Sequence, residues 1–366
     1  MKIRILDKYI FREIFKTFSF SVCAFTAVFI GSGTLFRIAQ YITEYGASFS
    51  SIVKIFILSL PGIIVWTFPM SMLLAGLLTI GRLSSSSEIT AMKSCGISFY
   101  RIAAPALLFG LFVSIFSINF NEYVVPWSNQ AYRHVLEYEI IGNTTPKAQE
   151  HIVIKQVEDG LIQRLVYASS YDEESATMQG VTMQSFDNGV LKQVEEAKEA
   201  VWEDNQWIMH DGIIYDIGAG ESKSVKHSLK FTKQVLPINR NPNQITRDQK
   251  KPEELSMEDL KEQIALLKSQ FVDTRKLETE LYQRFTIPAA SFIFVLISVP
   301  LGMQNTRKSS SAGFAMSIVI IFVYYGLMTM SGAIGQGGLM DAAIAAWIPN
   351  IIGAFVGLFL IRRAAS

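Results

Sequence analysis

Six stretches of this sequence contain no aspartate, glutamate, lysine, arginine or histidine over about 20 residues or more. They cover residues 17–36, 55–81, 102–121, 285–306, 309–340 and 342–361. An α-helix needs roughly 20 apolar residues to cross the hydrocarbon core of a bilayer. The sequence therefore predicts an α-helical membrane protein with six transmembrane helices.

The overall composition supports this prediction. Of the 366 residues, 50% are hydrophobic and 18% are charged, against roughly 25% charged in a soluble domain. The formal net charge of +1 gives no bulk attraction to nucleic acid, so no nucleic-acid partner is expected.

A polar segment separates the third stretch from the fourth, so the predicted order is three helices, an inserted domain and three helices. Turn signals divide this segment into short runs of strand-forming residues, which predicts an all-β domain. These signals are Asp159-Gly160, Asp187-Asn188-Gly189, Asp204-Asn205 and Asp211-Gly212. Partial alternation of apolar residues leaves sandwich, jelly roll and open sheet undistinguished. We expect helices 1–3 within 1–121, the β domain within 122–255, a connecting helix over 256–284 and helices 4–6 within 285–366.

The connecting helix has its own start signal. Ser256 is expected to cap it, with Asp259 three residues later. Apolar residues then recur at helical spacing and predict one buried face. They are Met257, Leu260, Ile264, Leu267 and Phe271.

Proline and glycine mark the membrane stretches. Because each proline removes a backbone hydrogen bond, kinked or broken helices are expected. The prolines are Pro61, Pro69, Pro105, Pro288, Pro300 and Pro349. The spacing of Gly353 and Gly357 permits close contact with another helix.

Basic residues beside the stretches predict the orientation, because they are enriched on the cytoplasmic side. They lie in the N-terminal tail, in the second-to-third and fourth-to-fifth connections and at the C-terminus: Lys2, Arg4, Lys8, Arg12, Lys16, Arg82, Lys93, Arg101, Arg307, Lys308, Arg362 and Arg363. We therefore expect a multi-pass protein of the inner membrane with cytoplasmic N- and C-termini and a periplasmic β domain.

Motifs of catalysis and of metal binding are absent from the sequence. There is no H-E-x-x-H, G-x-S-x-G or C-x-x-C, and the four histidines have no metal-ligand spacing. Ion-coupled transporters keep ionisable residues within the membrane, and the six stretches have none. We expect no enzyme activity, no metal and no cofactor in this chain, and energy supplied by a cytoplasmic partner. The alternative, that the helices only anchor the external domain, explains six helices poorly.

The connection between the second and third stretches is the candidate coupling segment. Serines 84–87 are expected to cap a short helix that begins at Glu88, and Gly96 to end it in the left-handed conformation. Glu88 is then favoured by the helix dipole and can offer its carboxylate to an arginine of a partner. A simple connecting helix is an equally good interpretation of the pattern.

The chain resembles the lipopolysaccharide export permeases of the LptF/LptG type over nearly its whole length. The pattern S-E-x-T-A-x-x-S-x-G-I-S over 87–98 carries part of the resemblance. The remaining motifs, in matching order, are Asn121-Glu122 with Pro126 and Asn129, Arg284-Phe285-Thr286-Ile287-Pro288, Pro300-Leu301-Gly302 with Arg307, Tyr324-Tyr325 and Trp347-Ile348-Pro349-Asn350.

The resemblance implies a set of partners and a mechanism. Two permeases, identical or homologous, would enclose an apolar cavity for lipopolysaccharide or a similar lipid, with a lateral gate between the first helix of one and the fifth of the other. A cytoplasmic ATPase dimer, which binds the ATP and magnesium, would contact the short helix through Glu88, Thr90, Met92 and Gly96. The external domain would be β-jelly-roll-like and would pass lipid to periplasmic bridge proteins of the same fold by strand addition.

An apolar wall is needed because an acyl chain exposed to water costs about 0.8 kcal/mol per methylene. Candidates for the cavity and gate are Phe18, Phe20, Phe25, Phe29, Phe314 and Phe322, although lipid-facing phenylalanines fit equally. Arg37 is either a contact for a lipid phosphate or an interfacial anchor.

Two features depart from the family pattern. The family places several lysines near the outer end of the first helix, where this chain has Arg37 alone within 34–46, and Asp341 stands in place of a usual proline. Either the head group is less anionic or the paired subunit supplies the charge.

The expected function is a permease subunit of an ATP-driven glycolipid exporter. The alternatives are a mechanotransmitting or lipoprotein-extracting permease and a membrane-anchored docking protein.

Overall fold

The structure is a computed structural model. It describes residues 5–141, 148–158, 161–172, 175–187, 189–217, 225–238, 240–242, 244–245, 250–269, 271–304 and 310–365. The predicted features at Lys2, Arg4, Asp159-Gly160, Asn188, Arg307 and Lys308 lie outside these residues. The chain divides into two compact units, one formed by Met1–Ile141 with Arg275–Ser366 and the other by Gly142–Thr274.

Helices make up the first unit. Its α- and π-helical segments, listed with α6 of the second unit, are α1 (Ile5–Phe29), a π-helical turn (Ile30–Thr34), α2 (Leu35–Tyr45), α3 (Phe49–Ser85), α4 (Glu88–Ser94), α5 (Phe99–His134), a second π-helical turn (Val135–Ile140), α6 (Met257–Ser269), α7 (Arg275–Gln304), α8 (Ser310–Gln336) and α9 (Ala342–Ala365). All except α6 belong to the first unit. Among the described residues, six helical segments are long and apolar enough to cross a membrane, as predicted.

These helices extend beyond the uncharged stretches that predicted them. The third continues past residue 121 as α5 and its π turn, so the second unit begins at Gly142 and not at 122. The extension is stable because Val135 and Ile140 are buried with Ile52 and Ile55 of α3. After the sheet, a single connecting helix was expected over 256–284. In the structure α6 ends at Ser269 and α7 begins at Arg275.

Close contacts through small residues hold the helices around α7. A Cβ added at Gly76 of α3 would lie 2.0 Å from Ser298 Oγ of α7, and one at Gly110 of α5 would lie 2.7 Å from Val295 Cγ2. In α9, Gly353 and Gly357 contact Ile293 and Leu296 of α7 in the same way. The predicted close contact at Gly353 and Gly357 is therefore an intramolecular one.

Helices pass through their prolines without a break, and polar side chains reach backbone carbonyls beside two of these positions. Asn350 Nδ2 donates to the Thr286 carbonyl at 2.8 Å, and the Tyr324 hydroxyl donates to Asn350 Oδ1 at 2.9 Å. The Tyr325 hydroxyl donates to the Trp66 carbonyl at 3.2 Å. Several motifs that carry the family resemblance thus lock α7, α8 and α9 together.

The second unit contains one antiparallel sheet whose strands pair in chain order, β1-β2-β3-β4-β5-β6. They are β1 (Ala148–Glu158), β2 (Leu161–Asp172), β3 (Thr177–Asp187), β4 (Val190–Glu203), β5 (Gln206–Ile217) and β6 (Val225–Leu236). The predicted all-β class is confirmed. The crossing connections of a two-Greek-key jelly roll do not occur among the described strands, which form a continuous meander.

The turn signals had different outcomes. Asp204 and Asn205 both have positive φ, at 47° and 64°, and join β4 to β5 as a tight hairpin. Gly189 has φ 79° between β3 and β4. The predicted turn at Asp211-Gly212 is wrong, because β5 continues through it and the positive φ of Asp211 makes a local irregularity within the strand. Strand β6 lies beyond the region that the turn signals divided.

The core of the second unit is closed by the segment that follows β6. Trp207 and Tyr171 are fully buried there, and Trp207 Nε1 donates to the Arg240 carbonyl at 2.7 Å. Ser256 caps α6 as predicted, since its Oγ accepts from the Asp259 amide at 3.0 Å. Met257, Leu260 and Ile264 form the buried face of α6. Phe271 was expected on that face but lies beyond the helix end and is exposed.

Candidate functional site

One end of the helical unit, which we call the basic end, carries the candidate coupling segment. Its core contains Ile10 of α1, Leu83 of α3, Ile89 of α4, Phe99 of α5 and Ile361 of α9. The residues on its surface include Arg12, Arg82, Lys93, Arg101 and Arg362. Helix α4 lies at this end between α3 and α5.

Helix α4 is anchored by one apolar side chain and closed by a glycine. Ile89 is 3% exposed and belongs to the core of the bundle. At the other end Gly96, with φ 80°, donates to the Lys93 carbonyl at 2.9 Å, and Ile97 donates to the Met92 carbonyl at 3.1 Å. These two bonds form a Schellman motif, which requires the left-handed conformation that glycine adopts without strain. The predicted end of the helix at Gly96 is confirmed.

The predicted serine cap of α4 is wrong. Ser87 occupies the cap position with φ 62°, a left-handed conformation from which its side chain makes no capping hydrogen bond. Ser84 Oγ instead donates to the Met303 carbonyl, and Ser86 Oγ donates to Glu88 Oε1 at 2.9 Å. The serines therefore fix the turn between α3 and α4 and the side chain of Glu88.

The four predicted coupling residues have different surroundings. Thr90 is exposed and Glu88 is half-buried. Met92 is partly buried and packs against the core of the bundle, so its side chain supports α4 from the inner face. Gly96 ends the helix and is exposed. The outward face of α4 also includes Ala91, Lys93 and Ser94, which sequence reasoning did not single out.

Glu88 has a second partner that sequence reasoning missed. The Tyr9 hydroxyl of α1 donates to Glu88 Oε2 at 2.8 Å. Nearby, Asp7 and Glu13 of α1 form ion pairs with Arg101 and Arg82. The residues are separated by about 70 to 95 positions in the sequence, so no local pattern could pair them.

The candidate cavity residues lie on α1 and α8. Phe29 is 37% exposed, Phe314 48% and Phe322 78%, while Phe20 is exposed and Phe25 is partly buried. Phe18 is partly buried and packs against the core, with its ring 5.4 Å from that of Phe109, edge to face.

The structure does not bring the two sets of phenylalanines together within one chain. Helix α1 packs on α3 and α5, whereas α8 packs on α9, α3 and α7. Most of the apolar residues in the first membrane segment, Ile5–Tyr45, and in α8 are not buried, whereas most of those in α3 are buried. Helices α1 and α8 therefore present large apolar faces that the described residues leave uncovered.

Arg37 lies at the opposite end of the helical unit and is exposed. On the same helix, the Tyr41 hydroxyl shares a hydrogen bond of 3.0 Å with the Tyr132 hydroxyl of α5. Asp341 has a structural role that the sequence pattern did not predict. Its Oδ1 accepts from the Ala343 amide at 2.8 Å, so it caps the start of α9.

Comparison with known proteins extends this description to the family level. The sequence profile described as "Lipopolysaccharide export system permease LptF/LptG" matches residues 8–363. The chain is 21% identical to the lipopolysaccharide export system permease protein LptG of Haemophilus influenzae, over 99% of both chains. It is 23% identical to LptG of Escherichia coli K12 over 98% of both chains, and 22% identical to LptF of the same strain over 81% of this chain and 78% of LptF.

The profile covers the six helices, the inserted sheet and helix α4 in one continuous match. The related proteins are named as permeases, the transport components of a lipopolysaccharide export system, and not as catalytic enzymes. From this agreement of fold and sequence, the chain belongs to the LptF/LptG family of lipopolysaccharide export permeases.

Proposed function

We propose that this chain is a permease subunit of an ATP-driven transporter that extracts lipopolysaccharide, or a similar glycolipid, from the inner membrane. The observation that carries the proposal is helix α4. It is held on the basic end of the bundle by Ile89, with its opposite face exposed. An ATPase dimer bound to that face, through Glu88 and Thr90, would hydrolyse the ATP with its magnesium, because this chain has no motif for either.

The uncovered faces of α1 and α8 support pairing with a second permease. A single copy leaves Phe29, Phe314 and Phe322 exposed, and relatives of two names, LptF and LptG, match the chain at similar identity. In such a pair, α1 of one subunit meets α8 of the other and the phenylalanines line the lipid cavity. Arg37 at the opposite end is positioned to meet an anionic head group.

The orientation follows from the charges. The basic end faces the cytoplasm, with both termini, and the sheet faces the periplasm. There an outer strand, β1 or β6, would continue into the sheet of a bridge protein by strand addition. The lipid would pass along this continuous sheet towards the outer membrane.

Co-purification in mild detergent tests the proposal. The wild-type chain should retain an ATPase and carry glycolipid that mass spectrometry detects, and Glu88→Ala should lose both. Glu44→Ala, at the end of α2 on the opposite side of the bundle, is the matched control and should behave like the wild type.

Three results would contradict the proposal. Protein cargo in place of glycolipid would indicate a lipoprotein extractor. No ATPase and no lipid with the wild-type chain would indicate a docking protein. Full binding by Glu88→Ala would remove α4 from the coupling mechanism.

A further inference from the structure

The first turns of α1 contact the chain on both sides of α4. Arg101 Nη2, at the start of α5, donates to Asp7 Oδ2 at 2.7 Å. Arg82, near the end of α3, forms an ion pair with Glu13. Both segments that lead into and out of the α4 connection are therefore tied by charge to the same short part of α1.

Between these two ion pairs, α1 also contacts α4 itself. The Tyr9 hydroxyl donates to Glu88 Oε2 at 2.8 Å and Ser86 Oγ donates to Glu88 Oε1 at 2.9 Å. Each carboxylate oxygen thus accepts one hydrogen bond. A carboxylate has about four acceptor positions, so Glu88 can still accept from a bidentate arginine of a partner.

Apolar side chains pack the first turns of α1 against the core of the helical unit. Ile10 is fully buried and Ile14 is 1% exposed, in the same core as Ile89, Leu83 and Phe99. The spacing of Ile10 and Ile14 places one apolar face of α1 on the bundle, and Tyr9 and Glu13 flank that face. Tyr9 therefore projects from beside a helix face that is packed on the bundle, and is itself partly exposed.

We infer that Tyr9 is a positioning residue for Glu88, and that the first turns of α1, with Arg82 and Arg101, form a seat that holds α4 in its orientation towards the ATPase. The inference rests on the proposed function, since it takes Glu88 to be the residue that meets the ATPase. An unrestrained glutamate loses rotamer freedom when it binds. Tyr9 and Ser86 remove that freedom beforehand, so the carboxylate meets its partner already oriented.

Tyr9→Phe tests the inference because it removes only the hydroxyl. We expect affinity for the ATPase, measured with the full-length permease in nanodiscs, to fall about threefold to tenfold, because the Glu88 side chain must then be ordered on binding. The control is Tyr100→Phe, at the same end of the bundle, where the Tyr100 ring is 59% exposed; its affinity should stay unchanged.

A double-mutant cycle separates positioning from a direct contact. In a Glu88→Gln background, where the carboxylate is replaced, Tyr9→Phe should weaken binding less than it does in the wild type. An equal loss in both backgrounds would show that Tyr9 acts independently of Glu88 and would overturn the inference. The inference would also be overturned if Tyr9→Phe bound the ATPase with wild-type affinity while Glu88→Ala bound it more weakly. Wild-type affinity of Glu88→Ala would instead overturn the proposed function.

A charge exchange tests the seat. Arg82→Glu should lower ATPase affinity through repulsion from Glu13, and the double variant Glu13→Arg with Arg82→Glu should restore it. Thermal unfolding in detergent identifies variants that fail to fold, and only folded variants enter the comparison. A folded double variant that stays as weak as Arg82→Glu would overturn the role of this ion pair.

Discussion

Gly81 and Gly96 lie near the two ends of the segment that joins α3 to α5, and they differ in backbone conformation. Added Cβ atoms would meet nothing within 4 Å at either position, but Gly96 has φ 80° whereas Gly81 lies within helix α3. We expect Gly96→Ala to lower stability by about 1 kcal/mol, the cost of a left-handed alanine. Gly81→Ala should raise it by about 0.5 kcal/mol, because alanine favours helix. Thermal unfolding of both variants in one detergent checks this, and shifts of the same sign would contradict it.

Glu195 of β4 is another residue whose surroundings decide its behaviour. It is 4% exposed and accepts from Gln234 Nε2 at 2.8 Å. Burial raises the pKa of this carboxyl, and the opposing effect of Arg164 is smaller. A raised pKa in the folded state means that the folded chain binds the proton more tightly than the unfolded chain. The stabilisation is therefore complete below the usual glutamate pKa and is lost as the pH rises from there through the raised value.

We expect Glu195→Gln to stabilise the sheet at neutral pH and to reduce this pH dependence, because glutamine is neutral throughout. The measurement is hydrogen exchange of peptides from β4 and β5 in the full chain, corrected for the intrinsic exchange rate at each pH. Glu196→Gln is the matched control, since the side chain of Glu196 is next in the sequence and is exposed. Identical protection in the Glu195→Gln and Glu196→Gln variants would refute the prediction.

At the scale of elements, the contact between α3 and α7 depends on the absence of a side chain at Gly76. A Cβ there would lie 2.0 Å from Ser298 Oγ and 2.7 Å from Ser298 Cβ. We expect Gly76→Ala to lower the stability of the helical unit by about 1–3 kcal/mol, because an overpacked core must shift. Adding Ser298→Gly should recover most of the loss, since it removes both atoms. Thermal unfolding measures each variant.

Gly326→Ala in α8 is the control for this contact, because its Cβ would meet nothing within 4 Å. It should leave stability unchanged or slightly higher. If the Gly76 double variant is no more stable than Gly76→Ala alone, the close packing of α3 on α7 is not the cause of the loss.

At the scale of the whole molecule, the orientation in the membrane is testable through a native cysteine. Cys95 ends α4 at the basic end and is exposed, and Cys23 is the only other cysteine in the sequence. In a Cys23→Ala background, we expect a membrane-impermeant maleimide to label Cys95 only after spheroplasts are permeabilised. Val190→Cys, on an exposed residue of β4, should be labelled in intact spheroplasts once Cys95 is replaced by alanine. The reverse pattern would contradict the cytoplasmic position of the basic end.

The sequence by itself determined the six membrane helices and the all-β class of the inserted domain. Runs without charge fix the six membrane helices, because a helix in lipid must satisfy its own backbone and present apolar side chains. Gly96 and Asp204-Asn205 predict a helix end and a hairpin because their backbone conformations are local preferences. The signal at Asp211-Gly212 was the same kind of pattern and was misleading, because pairing on both sides of β5 held it in the sheet.

Only the tertiary structure decided which side each side chain faces. Met92 and Phe18 were expected at a partner surface and a cavity, and both pack inward, because burial depends on neighbours distant in the sequence. Tertiary structure also decided three other features: the order of the strands in the sheet, the packing of Gly353 on α7 and the hydrogen bond from Tyr9 to Glu88. Periodicity reports the local conformation of a segment, whereas these contacts depend on how segments far apart in the sequence pack together.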